Sequence, residues 1–336
     1  MSFMEVCGTH TVAIFRHGIR GLLPPEMRLL SGPGCPVCVT DQRDLDVAVA
    51  LAGRKDVILT TFGDMMRVPA SSSSLEREKG RGADIRLVYS VLDALAVAEA
   101  NPEKKVVFLA VGFETTSPSI ACAVVEAEGR DLRNFFILPC HKLIPPAMRV
   151  LVNSGDLRLD GFLCPGHVSA VIGSRPYEFL AREYGLSCVV AGFEPLDVLR
   201  ALYQLVLQVA EGRSEVEIEY RRVVKPEGNP AALAMLHRVF REAPARWRGL
   251  GLIPGSGLAL RPEFERFDAV RAIPVEVPDP EEPEGCLCGE ILRGAKTPYD
   301  CGLFGTVCTP DHPVGPCMVS TEGTCSAYFK YGTQDS

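Results

Sequence analysis

No apolar run in the 336-residue chain reaches the roughly 18 residues that a membrane span needs. Met1 to His10 lacks the apolar segment of a secretory leader, since Cys7 and His10 interrupt it. There is no long basic run, and the formal net charge of -7 argues against a general nucleic-acid binder. These absences predict a cytoplasmic protein with neither membrane nor nucleic-acid partners. Such a compartment keeps thiols reduced, so the thirteen cysteines point to metal binding or redox chemistry rather than a disulfide framework. The CxxxCxxC spacing of radical enzymes is also missing, which disfavours that class. What remains is ordinary: 47% hydrophobic and 23% charged residues, enough for a real core, and length for two or three domains.

The cysteines fall into groups. Six lie near the end: Cys286, Cys288, Cys301, Cys308, Cys317 and Cys325. Gly and Pro punctuate them, and no local hydrophobic run could form a core, so a metal, a cluster or disulfides must hold this segment in shape. Cys7-Gly8-Thr9-His10 and Cys35-Pro36-Val37-Cys38 lie near the start, with only a short run before Cys7 and little room there for a supporting element. Cys122 and Cys188 sit in apolar runs and read as small core residues, whereas Cys140 and Cys164 sit at strand ends.

Between these groups, short apolar strands alternate with helices, the pattern of parallel α/β sheets. About six strands are expected in two groups of three, from the short strand at Leu29-Leu30 through Val57–Phe62, Val106–Val111, Phe135–Leu138 and Gly161–Cys164 to Cys188–Ala191. The paired stretches GFETT and GFEPLD, each after a strand, suggest two similar units. The expected organisation is one unit over 27–132, a second over 133–212, and a third from 1–26 with 213–336. Single helices are expected from Pro36 to Leu51 and over Asp84–Ala100. A mobile polar stretch is expected over 70–82, a Gly-rich turn over 250–257, and an acidic Pro-rich linker over 274–285. Functional groups gather at the carboxyl ends of strands in such sheets. Asp64, Glu114, Thr115, His141, His167, Glu194 and Asp197 fall there. For Glu114 and Glu194, capping of the following helix competes with a functional role.

The chemistry stays open at this level. Four of the terminal cysteines could hold an iron–sulfur cluster, leaving a redox pair, but zinc or disulfides also suit thiolates. Zinc usually takes close CxxC pairs, and the terminal group contains none. Cys7-x-x-His10 with Cys35-x-x-Cys38 would make a Cys₃His zinc set, or an open site for a reactive iron. Cys35 at a helix start would have a lowered thiol pKa. A zinc-stabilised binding protein and a stand-alone thiol–disulfide oxidoreductase of the ferredoxin-dependent thioredoxin reductase type are the rival readings.

The stretches MEVCGTHT at 4–11, GPGCPVC at 32–38, GFETT at 112–116, CPGHVS at 164–169, GFEPLD at 192–197 and GPCMVSTEGTC at 315–325 resemble the HypD family of hydrogenase maturation factors along nearly the whole chain. Family members usually carry some thirty more residues before the CGTH motif. The resemblance implies two α/β domains plus a third holding a [4Fe-4S] cluster. It implies assembly of the Fe(CN)₂CO unit of [NiFe]-hydrogenases with the chaperone HypC, using cyanide delivered by HypE. By motif, Cys7 would hold the iron that carries CN and CO, with His10 nearby. Cys35 and Cys38 would be a dithiol or disulfide beside that iron. Cys286, Cys301, Cys308 and Cys325 would bind the cluster, with Cys288 and Cys317 as the extra redox pair. Glu114, Thr115, His167 and Glu194 would line a polar cleft that handles the cyanide-bearing partner.

Overall fold

The computed structural model describes residues 1–155, 158–280 and 283–332; residues 281 and 282 of the expected acidic linker lie outside the described residues. Its strands in chain order are β1 (Ser2–Glu5), β2 (Arg28–Ser31), β3 (Val57–Thr61), β4 (Ile85–Leu87), β5 (Lys105–Ala110), β6 (Phe135–Pro139), β7 (Gly161–Pro165), β8 (Ser187–Ala191), β9 (Val216–Ile218), β10 (Phe240–Trp247) and β11 (Gly251–Leu260). A four-stranded sheet has the order β4-β3-β5-β6 and a five-stranded sheet the order β2-β1-β7-β8-β9. Every pairing within these two sheets is parallel. Strands β3, β7 and β8 are buried along their whole length. That is the burial expected of parallel strands covered by helices on both faces, and it explains their continuous apolar sequences.

The α/β class with parallel sheets flanked by helices is as expected, but the strand count is higher. Asp84–Ala100 is not one helix: β4 pairs with β3, and the helix begins at Val91, capped by Ser90. The presumed single helix from Pro36 is two helices, Pro36–Val39 and Gln42–Ala52, separated at extended Thr40; Asp41 caps the second. Leu75–Gly80 is helical, with the Ser74 side chain accepting from Arg77 N–H, within the stretch expected to be mobile. The Gly-rich segment after Leu250 is no turn but β11, antiparallel to β10 with a bulge at Ala243/Ala245.

The run before Cys7 is β1, which lies inside the five-stranded sheet between β2 and β7: Met4 pairs with Leu30 on one side and Phe162 on the other. Within residues 1–26, expected to group with the C-terminal segment, Ser2–Glu5 therefore hydrogen-bonds into the five-stranded sheet. The helix Gly8–Arg16 that follows does pack on the helix Thr324–Tyr331. The cysteine-rich segment encloses no core of its own among the described residues. Its Ile291, Leu292 and Met318 belong to the same buried cluster as Met4, Leu59, Phe162 and Trp247, which spans both sheets. Among the described residues no helix is long and apolar enough to cross a membrane.

Candidate functional site

Parallel pairing brings the loops after the strands to one end of each sheet, and the two ends meet across a cleft of about 440 Å³. Cys7, Thr9, Thr115, His167 and Glu322 line it, with Phe113 and Val168 as apolar walls. Cys7 leaves the end of β1 and is the extended residue preceding the helix Gly8–Arg16. Its backbone N–H donates to Glu5 Oε2 at 3.1 Å, and Thr11 Oγ1 donates to Glu5 Oε1 at 2.5 Å. Gly34 presses on this corner: a Cβ there would sit 2.1 Å from Cys7 N. The GPGC sequence thus lets two backbones touch where the cysteine is presented. Burial pushes the Cys7 thiol up to about 12, with the charges of Glu322 and Glu5 acting the same way. The folded protein therefore holds Cys7 as a protonated thiol at neutral pH.

His167 lines the cleft and stacks on Phe193 at 3.9 Å between ring centroids. Desolvation lowers its pKa. His10 does not reach the cleft. It is fully buried, its Nε2 donates to Gly192 O at 2.9 Å, and its ring also stacks on Phe193. Burial lowers its pKa to about 4, so the ring is neutral, with an unpartnered Nδ1. Its part is to back the Phe193–His167 stack.

Cys35 and Cys38 form a disulfide. Both are buried, while neighbouring Gly34 and Pro36 face the cleft. Cys35, His10 and Cys38 are thus committed to other contacts, and the Cys₃His zinc set is not assembled. Among the described residues no group of three His, Cys, Asp or Glu side chains converges to hold a single metal ion.

The remaining expected cleft residues point elsewhere. Glu114 is buried; its Oε1 accepts from Ile144 N–H at 3.0 Å, capping the helix Ile144–Asn153 from outside. It faces away from the cleft that Phe113, Thr115 and Thr116 line. Glu194 precedes the helix Pro195–Ala210 and its side chain is 77% exposed. Asp197 accepts from Glu194 N–H and binds Arg222. His141 is buried with both ring nitrogens unpartnered, against Phe240.

Sequence reading missed Glu322. Its Oε1 accepts from Thr9 Oγ1 at 2.6 Å, and Gly8 leaves room for it. It lies in the STEGTC stretch, but its partners are 313 residues away, so no local pattern marks it. Phe193 was likewise overlooked, because an aromatic after a strand reads as core.

All six terminal cysteines line one compartment with Ile291, Leu303, Phe304 and Met318. Cys288 Sγ and Cys317 Sγ lie 2.8 Å apart. Contacts with the Cys286 and Cys317 thiols hold Cys288 well below the ordinary thiol value, and the buried Arg248 guanidinium acts in the same direction. The donor set fits a cluster better than a single ion. One ion needs four donors about 2.3 Å from a point, whereas a cubane spreads its thiolates around a cage. The helix Pro316–Val319 links the compartment to the disulfide: Cys38 Sγ lies 4.0 Å from Pro316 O, the residue before Cys317.

A family model described as HypD, hydrogenase formation hypA family, matches residues 1–332. The hydrogenase maturation factor HypD of Cupriavidus necator is 51% identical, with 98% of this chain and 89% of that protein covered. That of Rhizobium leguminosarum is 50% identical over 98% and 88%. A putative hydrogenase expression/formation protein of Methanocaldococcus jannaschii is 47% identical over 98% and 92%. These relatives do not favour a stand-alone thiol–disulfide oxidoreductase. With its parallel sheets, its CGTH cysteine in a cleft between two sheets and this similarity along its whole length, the chain belongs to the HypD family of hydrogenase maturation factors.

Proposed function

We propose that this protein is the cytoplasmic scaffold on which iron acquires cyanide and carbon monoxide for [NiFe]-hydrogenase, working with a HypC-type chaperone and with HypE as cyanide donor. The observation that carries the reading is Cys7, a lone buried thiol opening onto a cleft between two sheets, beside His167, Thr115 and Glu322. Low-spin iron bearing CN and CO is the cargo, and such iron favours soft thiolate donors. Binding it at Cys7 requires loss of the thiol proton. Glu322, the carboxylate facing the same cleft, is the acceptor at hand. Thr115 and His167 are the polar groups that would orient a cyanide-bearing partner segment entering the cleft.

In this reading Cys286, Cys301, Cys308 and Cys325 hold a [4Fe-4S] cluster that makes the C-terminal segment a third functional unit. When bound, such a cluster exchanges single electrons. The chain's own thiols do the two-electron part: Cys288 with Cys317, and Cys35 with Cys38, each interconvert between dithiol and disulfide. The Pro316–Val319 helix supports this relay because it touches one pair and carries a member of the other.

The test is anaerobic co-purification with a HypC-type chaperone, read by infrared spectroscopy. Bands of iron-bound CN and CO are expected, and Cys7→Ala should lose them. An active complex that never shows such bands would overturn the proposal.

A further inference from the structure

The GFETT loop has two faces. Phe113, Thr115 and Thr116 line the Cys7 cleft, whereas Glu114 lines a second pocket of about 360 Å³ behind it. The helix Gly166–Ile172 is shared in the same way, with Val168 and Val171 on the cleft and Ile172 on the pocket. Both elements thus contribute residues to each of the two spaces.

The pocket has the size and character of a ligand site. Pro145, Leu233, Leu236 and Phe240 supply apolar walls, and Glu114 supplies a carboxyl. Glu114 is 3% exposed, and its Oε2 has no hydrogen-bond partner. A buried polar atom left unpaired costs free energy that a ligand can recover. The charged or titratable groups facing Glu114 across the pocket are Glu242 on β10 and His237 on the helix Pro230–Val239; no Lys or Arg lines it among the described residues. Two carboxyls and no fixed cation leave an anion nothing of opposite charge to pair with there. Burial, reinforced by Glu242, pushes Glu114 up to about 8, so an incoming cation would displace its proton.

We propose that this pocket binds an organic cation, an ammonium or guanidinium group on an apolar stem, with the stem against the proline and leucine walls and the head on Glu114. The pairing is charge-assisted and lies in a desolvated site, where such bonds are strongest. The cation could be a free amine or a side chain carried by a partner protein, and the test separates the two.

The readout is built in. Trp247, the only tryptophan, stacks on Phe113 at 6.0 Å, next to Glu114. Titrating the full chain at pH 7 with n-hexylammonium chloride, and separately with Nα-acetyl-lysine methylamide, should give a saturable change in its fluorescence with at least one of them. Response to the first alone assigns a free amine, and response to the second alone a protein-borne side chain. n-Hexanol and hexanoate should bind at least about tenfold more weakly, and Glu114→Gln should weaken the cation by about tenfold or more. If Glu114→Gln fails to fold, Leu233→Phe keeps the Glu114–Ile144 cap and fills the pocket, and it must still lose the response. Equal binding of hexanol, unchanged binding in Glu114→Gln, or no saturable response to either cation would overturn the proposal.

Discussion

The imidazole of His167 lies on the ring of Phe193 with 3.9 Å between centroids and 26° between planes. His10 stacks on the same ring at 4.7 Å and is itself fixed to Gly192 O. Two histidines that look alike in the sequence thus divide the work, one facing the cleft and one bracing it. Phe193→Leu should lower hydrogenase maturation by about tenfold, since a loosely held group in an active cleft loses positioning. Phe193→Tyr should retain most of it. The structural cause can be read separately as a downfield shift of the His167 ring protons in NMR spectra of the leucine variant. Unchanged shifts would remove the bracing role.

Gly34→Ala places a methyl 2.1 Å from the backbone nitrogen of Cys7, and nothing there is a flexible side-chain end. The corner has to move. A loss of about 1–3 kcal/mol is expected in chemical denaturation, together with altered alkylation kinetics at Cys7. Gly21→Ala, with open space around it, serves as the neutral control.

Stability should fall on both sides of neutrality for different reasons. His10 and His141 have folded-state pKa values lowered by burial to about 4 and about 3. The unfolded chain then binds more protons than the folded one below the ordinary imidazole value of 6.5, so stability is lost as pH falls through that window. Glu114 is raised from 4.5 to about 8, so the folded protein keeps a proton that the unfolded chain releases. Stability from this group is lost as pH rises from 4.5 toward 8. Urea denaturation across pH 4 to 9 should show His141→Phe flattening the acid limb and Glu114→Gln flattening the alkaline one.

Cys325→Ala, or the same change at Cys286, Cys301 or Cys308, should abolish iron and sulfide content in anaerobically prepared protein. Cys122→Ala, an exposed cysteine on the helix Ser117–Gly129, should leave it unchanged. Metal and sulfide analysis decides this. Zinc in place of iron and sulfide would end the cluster assignment. Mild oxidation of the cluster-loaded protein should yield a mapped Cys288–Cys317 disulfide, because the two sulfurs already lie 2.8 Å apart.

Local sequence was a good guide where the governing contacts are local. Asn229 stands directly before Pro230, a pairing that suits a helix start, and its Oδ1 accepts from Ala231 and Ala232 N–H at the head of the helix Pro230–Val239. The apolar runs at Val57, Val106, Phe135, Gly161 and Cys188 are all buried parallel strands. It failed where pairing overrides propensity. Ile85–Leu87 joined a helical pattern until β3 supplied a partner, and Leu250–Gly257 looked like a turn until β10 did. Ser2–Glu5 is too short to declare itself, yet it is an inner strand because β2 and β7 flank it.

The cleft was only partly legible for a related reason. Strand-end position identified Thr115 and His167, but Glu114, adjacent to Thr115, faces the opposite way, and Glu194 points into solvent. The chain turns between Phe113 and Thr116, and only packing decides which side chains of that turn meet the cleft.

The sequence alone determined the class of sheet, the family and the supply of thiols, since these depend on residue type, periodicity and motif. Tertiary structure alone decided which thiols and histidines meet. Glu322 reaches Thr9 across 313 residues, and Cys38 lies beside Pro316 across 278. Proximity of that kind is a property of the folded packing and leaves no periodic trace along the chain.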